Sequence, residues 1–316
     1  MNDTLTLCEC FARDGLQHEP VFVPTATKLA VLDAVVDAGF VRIEASSYSN
    51  PRRVPALADV STVMAGLTRR TGVSYKNTCP NPQAVLRAVH DDDAGIGPDE
   101  ISLLLSASDS HSRRNLNASR ADQWSKIAEM IALAQGRFTL VGVVSVAFGC
   151  PFEGAVDPGS VAADVARLVE LGADYVSIGD TTGLATPPSV RSLFSRLQRE
   201  NPDLPIIAHF HNTRGTGLAN VVAALDAGIR HFDSALGGVG GHPADIQYGQ
   251  GLTGNVCTED LVNLVEAMGL DTGIDLDALM VASKLAETAL DRPLHSMVAR
   301  AGYSTIAAAT HEVSHV

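Results

Sequence analysis

Two histidines two positions apart, His209 and His211, are the residues best placed by type and spacing to carry chemistry. They follow the apolar run 204–208, whose adjacent isoleucines behind a proline are typical of a buried strand. Side chains two apart on a strand project from the same face, about 6.5 Å apart along the chain. Two imidazoles in that arrangement can share a metal ion. The alternative is two unrelated histidines in a polar loop, and the rest of the sequence decides between the two interpretations.

Further metal ligands and a catalytic cation are predicted at other strand ends. Asp14 can supply a carboxylate and Asn255 an amide oxygen. With two imidazoles these groups make a mixed nitrogen and oxygen site, which suits Mg²⁺, Mn²⁺ or another divalent cation. Arg13 cannot bind a metal, but its fixed charge can hold a carbonyl or enolate oxygen as negative charge develops. Taken alone, Arg13 and Asp14 would be a plain turn pair.

Two acidic residues near the predicted strand ends are candidates for supporting or acid–base roles. Glu44 emerges from an apolar strand and needs a partner, which is either Arg13 or Arg42. A salt bridge to Arg13 would also orient that guanidinium. Asp180 ends another buried strand, where it is either an active acid–base group or an orienter of a metal ligand.

The glycine-rich segment 237–243 is predicted to be a mobile lid, because its glycines permit backbone conformations that other residues avoid. No Lys-Ser/Thr follows it, which makes a phosphate-binding loop the weaker interpretation. His242 lies in this segment and is either a solvated bystander or a proton-transfer residue.

Short apolar strands alternate with helical stretches almost from end to end of the 316 residues. Eight strand–helix units predict an α/β fold, a (β/α)₈ TIM barrel with a short C-terminal helical extension. We expect a single domain over residues 1–316, with the barrel at about 4–270 and the extension at about 271–316. A doubly wound sheet is the alternative, and the lack of a G-x-G-x-x-G turn after the first strand weakens it. In a barrel the loops after the strands hold the chemistry, so the candidate residues should converge.

The elements that position these residues follow from apolar patterning and from turn signals. Glycines at 39, 136, 172 and 228 are predicted to end helices in the left-handed conformation. Strands are predicted at 4–10, 41–45, 73–77, 100–105, 140–147, 175–179, 205–209 and 231–235. Helices are predicted at 25–38, 54–70, 82–91, 121–135, 158–171, 187–200, 217–227, 258–268 and 275–289.

Composition and charge narrow the classes of partner and location. The net charge of −13 argues against nucleic acid and anionic membranes as partners, because both need a basic surface. No apolar run approaches the roughly 20 residues of a membrane span, and residues 1–4 lack the features of a signal peptide. The five cysteines are odd in number and include no C-x-x-C, which predicts reduced, packed thiols and a cytoplasmic location.

Together these motifs resemble the 3-hydroxy-3-methylglutaryl-CoA lyase family of the DRE-TIM metallolyase superfamily. The resemblance runs through most of the chain. It is carried by RDGLQ at 13–17, IE at 43–44, GCPFEG at 149–154, SIGDT at 177–181, HFHNT at 209–213, GN at 254–255 and TEDLV at 258–262.

The resemblance implies a divalent-metal-dependent lyase that acts on an acyl-CoA. The metal chelates the 3-hydroxyl and the distal carboxylate of a 3-hydroxyacyl-CoA, and loss of the hydroxyl proton drives a retro-aldol cleavage to acetyl-CoA and a keto acid. The implied metal ligands are Asp14, His209, His211 and Asn255, with Arg13 at the substrate carbonyl. From the residues themselves we expect catalytic roles for Arg13, His242, Asp180 and Glu44, and substrate binding by Arg13, Gln17 and Ser177. We also expect a homo-oligomer, a dimer.

One departure from the family concerns the lid. Family lyases carry a cysteine in a Gly-Gly-Cys-Pro lid, and His242 stands at that position here. The lid is also longer, by the stretch around 245–248. We therefore expect hydroxymethylglutaryl-CoA or a related 3-hydroxy-dicarboxylyl-CoA as substrate.

Three other activities remain open at this stage. One is a metal-dependent aldolase acting on a 2-keto-4-hydroxy acid, and another is a Claisen condensation that runs towards synthesis. The third is a barrel that binds metal and acyl-CoA without turnover. The intact Arg13, Asp14, His209, His211 and Asn255 argue against the third.

Overall fold

The computed structural model describes residues 4–134, 136–240 and 254–303. Eight parallel strands close a barrel in chain order, with β1 paired to both β2 and β8. This architecture confirms the predicted TIM barrel. The strands are β1 (Thr6–Glu9), β2 (Arg42–Ser47), β3 (Ser74–Cys79), β4 (Glu100–Ser106), β5 (Thr139–Ser145), β6 (Tyr175–Asp180), β7 (Ile206–Phe210) and β8 (His231–Ser234).

Helices follow the strands and surround the barrel. They are α1 (Thr25–Asp37), α2 (Val60–Gly66), α3 (Pro82–Asp93), α4 (Asp109–Leu116), α5 (Arg120–Ala134), α6 (Pro158–Glu170), α7 (Pro187–Glu200), α8 (Gly217–Asp226), α9 (Thr258–Ala267), α10 (Leu276–Leu290) and α11 (Met297–Ala301).

The hydrophobic core lies between the barrel and the helices, because the strands alternate apolar side chains with polar ones. Along β4, Ile101 and Leu103 belong to the apolar core, whereas Ser102 faces the barrel interior. Along β6, Val176 and Ile178 belong to the core. The outward faces therefore hold the helices in place and leave the interior free for polar side chains.

Local signals set the helix ends as the sequence predicted. Gly39, Gly136, Gly172 and Gly228 all have positive φ angles, of 102°, 71°, 103° and 90°, as left-handed caps require. The helix predicted at 54–70 is shorter than expected. A single turn at Pro55–Leu57 precedes α2, and α2 ends at Gly66, where the chain becomes extended.

Helix α4 was not predicted, because its sequence is almost entirely polar and shows no apolar periodicity. Its stability comes instead from its ends and its surface. The Ser108 hydroxyl accepts the backbone N–H of His111 at 3.1 Å, and Asp109 pairs with Arg113 one turn later. Such capping and i,i+4 pairs support a helix that burial alone would not.

The C-terminal helices close over one side of the barrel. Helix α10 packs against α1, and the backbone N–H of His295 donates to the carbonyl of Gly237 at 2.9 Å, in the turn after β8. No helix within the described residues is long and apolar enough to cross a membrane. That residues 1–316 form one domain stays a prediction.

Candidate active site

A cavity of about 410 Å³ opens at the carboxyl ends of the strands, and we call it the carboxyl-end cavity. Inward-facing residues of β3 to β8 and the loops after β1, β2 and β4 line it. Of the residues predicted from sequence, those that line the cavity are Arg13, Asp14, Gln17, Ser177, His209 and His211. Glu44, Asp180 and Asn255 lie buried.

A single tight turn after β1 carries the first two of these residues. Over Phe11–Gly15 the backbone N–H groups of Arg13, Asp14 and Gly15 all approach the carbonyl of Cys10, at 3.1, 2.9 and 3.1 Å. The turn reverses the chain at the strand end. It therefore presents Arg13 and Asp14 side by side at the cavity.

The buried carboxyl of Glu9 holds this turn against two other segments of the site. It accepts the N–H groups of Phe11 and Leu236, at 2.6 and 3.2 Å, and the hydroxyl of Thr258 at 2.6 Å. Burial raises the pKa of Glu9 to about 8. Sequence reasoning missed this residue, although a lone glutamate between two cysteines of an apolar strand was a signal.

The histidine pair and Asp14 converge at one end of the cavity. The Nε2 atoms of His209 and His211 lie 3.1 Å apart. The Oδ2 atom of Asp14 lies 3.8 Å from the first and 3.7 Å from the second. One ligand atom from each residue falls within 4.8 Å of the others, which makes these three side chains a possible metal site.

Asn255 completes this group from a segment that pairs with the end of β7. It forms an isolated antiparallel bridge with His211, and its Nδ2 donates to Asp14 Oδ2 at 2.8 Å and to the carbonyl of Val239 at 3.0 Å. A Cβ at Gly240 would come within 2.4 Å of that Nδ2, so glycine is required there. The Oδ1 atom of Asn255 is buried without a hydrogen-bond partner among residues 4–134, 136–240 and 254–303. Two imidazoles, a carboxylate and this free amide oxygen fit a divalent cation.

The charges around the site keep Asp14 ionised and fix the orientation of His209. Burial alone would raise the pKa of Asp14, but Arg13, 2.8 Å away, and the two imidazoles hold it well below its usual range. Burial would likewise lower the pKa of His209, but the hydrogen bond and charge of Asp233 raise it overall. Asp233 Oδ2 lies 3.2 Å from His209 Nδ1, so the Nδ1 proton points at the carboxylate and Nε2 is left for a ligand.

Arg13 is fixed by a second buried carboxylate, that of Glu44. Its Nε lies 2.9 Å from Glu44 Oε2, and Glu44 Oε1 accepts the hydroxyl of Thr78 at 2.6 Å. The alternative pairing of Glu44 with Arg42 is wrong. Arg42 points toward the opposite end of the barrel and pairs with Glu100 at 2.5 Å.

Two charged residues on the cavity floor were missed by sequence reasoning. Lys76 on β3 and Asp233 on β8 are buried, and Lys76 Nζ lies 3.7 Å from Asp233 Oδ1. The signal for both was a charged residue inside an otherwise buried strand. That same signal had singled out Glu44.

Asp180 shapes the loop after β6. Its Oδ1 accepts the backbone N–H groups of Leu184 and Ala185 at 2.7 and 3.1 Å. Its hydrogen bonds in the described part of the chain do not reach His209 or His211. Burial raises the pKa of Asp180 to about 7, within the range of an acid–base group.

Besides Arg13, the predicted substrate-binding residues Gln17 and Ser177 also face the cavity. Gln17 follows the turn after β1, and its Nε2 lies 2.9 Å from His18 Nε2 near the mouth. Ser177 lies deep on β6. Their contact with substrate stays a prediction.

The lid prediction falls partly on residues that the structure does not describe. His242 and the rest of 241–253 lie outside the described residues. The first part of the predicted lid, 237–240, is described. Gly237 in this part has a φ of 58° and donates its N–H to the Glu259 carboxylate at 2.9 Å.

A second cluster, formed by Cys8, Cys10 and Asp233, also has metal-ligand spacing. The Lys76 ammonium faces Asp233 there and competes with any cation. A hydrogen bond with Cys8 and burial raise the pKa of the Cys10 thiol well above its usual range, which disfavours the thiolate that a metal needs. All five cysteines are free and buried, as the sequence predicted.

A larger cleft of about 780 Å³ lies at the amino ends of β4 to β6, and we call it the amino-end cleft. Its charged side chains pair with one another. Arg137 Nη1 lies 2.6 Å from Asp93 and 3.0 Å from Asp92, and Arg69 lies 3.5 Å from Asp99.

Comparison with known proteins identifies similar chains over almost the whole length. The HMGL-like family model matches residues 4–286. The cytoplasmic 3-hydroxy-3-methylglutaryl-CoA lyase of Rattus norvegicus is 37% identical over 94% of this chain and 84% of its own. The (R)-citramalyl-CoA lyase of Chloroflexus aurantiacus is 36% identical over 95% of both chains.

Solved structures show the same similarity. An HMG-CoA lyase from Acinetobacter baumannii, in complex with coenzyme A and 3-methylmalate, has a TM-score of 0.90 at 39% identity and covers 96% of this chain and 97% of its own. Hydroxymethylglutaryl-CoA lyase from Pseudomonas aeruginosa has a TM-score of 0.89 at 34% identity, covering 95% of this chain and 98% of its own.

Proposed function

Because this chain belongs to the HMGL-like family and is a carbon–carbon lyase, we propose that it cleaves a 3-hydroxyacyl-CoA to acetyl-CoA and a keto acid with the help of a divalent cation, Mg²⁺ or Mn²⁺. One observation carries the proposal. Asp14, His209 and His211 place a ligand atom each within 4.8 Å of the others, on the face of the barrel where Arg13 also lines the cavity.

The residues that would hold the cation are Asp14, the two histidines and Asn255. When bound, the cation supplies positive charge that favours ionisation of the substrate's 3-hydroxyl and binds its distal carboxylate. The Oδ2 atom of Asp233 lies 3.2 Å from His209 Nδ1. This contact orients the His209 ring so that Nε2 points toward the metal site.

Arg13 acts on the thioester. The 3-hydroxyl gives its proton to solvent, the bond between C2 and C3 breaks, its electron pair passes to the thioester enolate, and the oxygen at C3 becomes the carbonyl of the keto acid. Asp14 and Glu44 fix the guanidinium at 2.8 and 2.9 Å, so its charge is in place where the enolate oxygen develops. Glu44 therefore serves catalysis by orienting Arg13.

The enolate carbon must then receive a proton, and we assign that transfer to His242 from its position in the lid sequence. Imidazole exchanges protons near neutral pH. We expect His242→Ala to lower turnover by about 100-fold or more and to leave Mn²⁺ affinity unchanged. His90→Ala, on the exposed surface of α3, is the matched control. Turnover within a factor of two of the parent would remove His242 from the mechanism.

The cavity mouth suits a coenzyme A ester. Arg53 and Arg114 line it and are exposed, so they can meet phosphate groups despite the net charge of −13. Deeper in the cavity, Ser102, Ser145 and Ser177 offer hydroxyls to a polar acyl group. A 3-hydroxy-dicarboxylyl-CoA, such as hydroxymethylglutaryl-CoA, combines both features, and Gln17 and Ser177 would contact it.

The test is a screen of the purified protein with Mg²⁺ or Mn²⁺ against several 3-hydroxy-dicarboxylyl-CoA esters, following acetyl-CoA release. We expect metal-dependent release from at least one of them. Parallel assays with short 2-keto-4-hydroxy acids test the aldolase alternative. Cleavage of those acids alone, or Mn²⁺ binding with no cleavage at all, would contradict the proposal.

A homodimer and a cytoplasmic location are part of the same proposal. The matched relatives include a lyase named as cytoplasmic. Light scattering on the purified protein tests the dimer, and a fluorescent fusion in the source cells tests the location.

A further inference from the structure

We propose that Lys76 is a positioning residue of this site, whose ammonium holds the two carboxylates that orient a metal-binding histidine and the catalytic arginine. The inference rests on the proposed function for its effect on turnover. Its effect on metal binding can be measured without any substrate.

Lys76 stands at the floor of the carboxyl-end cavity. It faces inward from β3, lines the cavity and is only 2% exposed. Its Nζ lies 3.7 Å from Asp233 Oδ1 and 3.8 Å from Glu44 Oε2. Glu44 is its direct neighbour in the register of β2 and β3, whereas Asp233 comes from β8, on the far side of β1. The ammonium thus spans the interior between two carboxylates that no local sequence pattern connects.

Each of these carboxylates also contacts one functional side chain. Asp233 meets His209 Nδ1 at 3.2 Å, and Glu44 meets Arg13 Nε at 2.9 Å. The Oδ1 atom of Asp233 is buried and has no hydrogen-bond partner within the described ranges, so the ammonium is the charge that faces it. A single buried cation is therefore shared by the supports of both the metal site and the arginine.

Charge balance explains why the position needs a cation. Asp14, Glu44 and Asp233 are three buried carboxylates around one cavity. Arg13 contacts the first two, whereas Asp233 faces His209 through Oδ2 and Lys76 through Oδ1. Burial alone would lower the pKa of Lys76, but Asp233 and the other acidic groups around it raise the pKa above its usual range. Removing one partner of a buried pair leaves an uncompensated charge, which the structure relieves by rearrangement.

Rearrangement of Asp233 would reach the metal directly. A carboxylate in this place accepts a hydrogen bond from His209 Nδ1 and leaves Nε2 for a ligand, whereas a displaced carboxylate does not. A lysine that acted only as a nearby like charge would have the opposite effect, because removing it would favour a bound cation. A weaker Mn²⁺ affinity without Lys76 therefore indicates a positioning role, whereas a stronger affinity indicates simple repulsion of the cation.

The experiment compares Mn²⁺ binding to metal-free parent and Lys76→Met proteins by electron paramagnetic resonance titration. We expect the Mn²⁺ dissociation constant to rise by about 10-fold or more, the scale of lost supports behind metal ligands. Lys76→Arg keeps the charge and should restore at least part of the affinity. With a substrate in hand, Lys76→Met should lower kcat by about 10-fold or more and change KM little.

The matched control is Lys28→Met. Lys28 is another fully buried lysine paired with an aspartate, Asp59 at 2.6 Å, but it lies on α1 outside the barrel. This variant should lose stability and keep its Mn²⁺ affinity. If Lys76→Met fails to fold, Lys76→Gln takes its place, because its side chain is polar enough for the cavity and carries no charge to hold the carboxylates.

Unchanged or tighter Mn²⁺ binding in the neutral variants would overturn the inference. So would an equal loss of affinity in Lys28→Met, because the effect would then be one of general stability. A parent protein that binds Mn²⁺ but cleaves no acyl-CoA would refute the proposed reaction and leave the binding test of Lys76 intact.

Discussion

The carboxyl-end cavity and the amino-end cleft differ more in the burial and pairing of their charged side chains than in volume. The cleft is larger, at about 780 Å³ against 410 Å³. Its arginines are partly exposed and paired with neighbouring aspartates. The cavity holds buried carboxylates and imidazoles, and beside them the buried amide oxygen of Asn255 has no hydrogen-bond partner among the described residues.

The physical reason for the difference is desolvation. Exposed ion pairs contribute about 0–1 kcal/mol, because water and salt screen them. A buried polar group without a partner is costly, so it persists where a ligand satisfies it. Asn255 Oδ1, buried beside Asp14 at the cavity, is such a group, and the arginines at the cleft already have partners. Four substitutions, from the largest expected effect to the smallest, test whether chemistry belongs to the cavity alone.

Replacing His211 by alanine should have the largest effect. The change removes one of the three converging ligand groups, and the charge supplied by a bound metal is worth several kcal/mol to the transition state. We expect cleavage to fall by about 10³-fold or more and Mn²⁺ binding to be lost, as measured by acetyl-CoA release and by titration. Undiminished Mn²⁺ binding would show that the ligands are misassigned.

Asp233→Asn tests the support beneath the metal ligand. An amide can present its NH₂ group to His209 Nδ1 and so favour the wrong tautomer. Loss of such a support costs about 10-fold to 100-fold in metal affinity or activity. Isothermal titration with Mn²⁺ measures it. An affinity equal to that of the parent would make Asp233 a structural residue only.

Asp180→Asn should change the dependence of stability on pH. Burial raises the pKa of Asp180 to about 7 in the folded protein, whereas an unfolded aspartate has a pKa of about 3.9. Between these values the unfolded chain has released the proton that the folded protein keeps. Stability therefore falls as pH rises through this window, by up to about 1.4 kcal/mol per pH unit from this group. Above pH 7 the loss is complete.

The measurement is urea unfolding of parent and variant from pH 4 to 8. Because asparagine does not titrate, the parent should lose stability relative to Asp180→Asn as pH rises across the window. A constant difference between the two proteins would contradict the raised pKa. A lower kcat with an altered pH profile would favour the acid–base role over the shaping of the loop.

Arg137→Ala at the amino-end cleft should have the smallest effect. Its partners Asp92 and Asp93 are exposed to solvent, so water and salt screen the pairs and the free energy of unfolding should change little. Acetyl-CoA release should stay within a factor of two of the parent. A large loss of activity would show that the cleft takes part in the reaction and that the chemistry is not confined to the cavity.

Much of the site could be predicted because it follows from local geometry and from one rule of the fold. His209 and His211 share a face because side chains two apart on a strand do so. Asp14 and Asn255 were assigned because the carboxyl ends of parallel strands meet at one face of a barrel. The exact bounds of α2 were not predicted, because the apolar pattern does not show that the helix ends at Gly66. Helix α4 was not predicted, because it is polar and capped at its end and so has no apolar pattern.

The sequence by itself determined the eight strand–helix units, the polar strand ends and the histidine pair, since these depend on patterns within about ten residues. Only the tertiary structure decided which charged side chains form pairs with one another. It joined Glu44 to Arg13 rather than Arg42, and it placed Lys76 beside Asp233. Those pairings depend on the register and closure of strands far apart in the chain. A single charged residue in a buried strand indicates that it has a partner. Which residue that partner is depends on how the strands pair in the closed barrel.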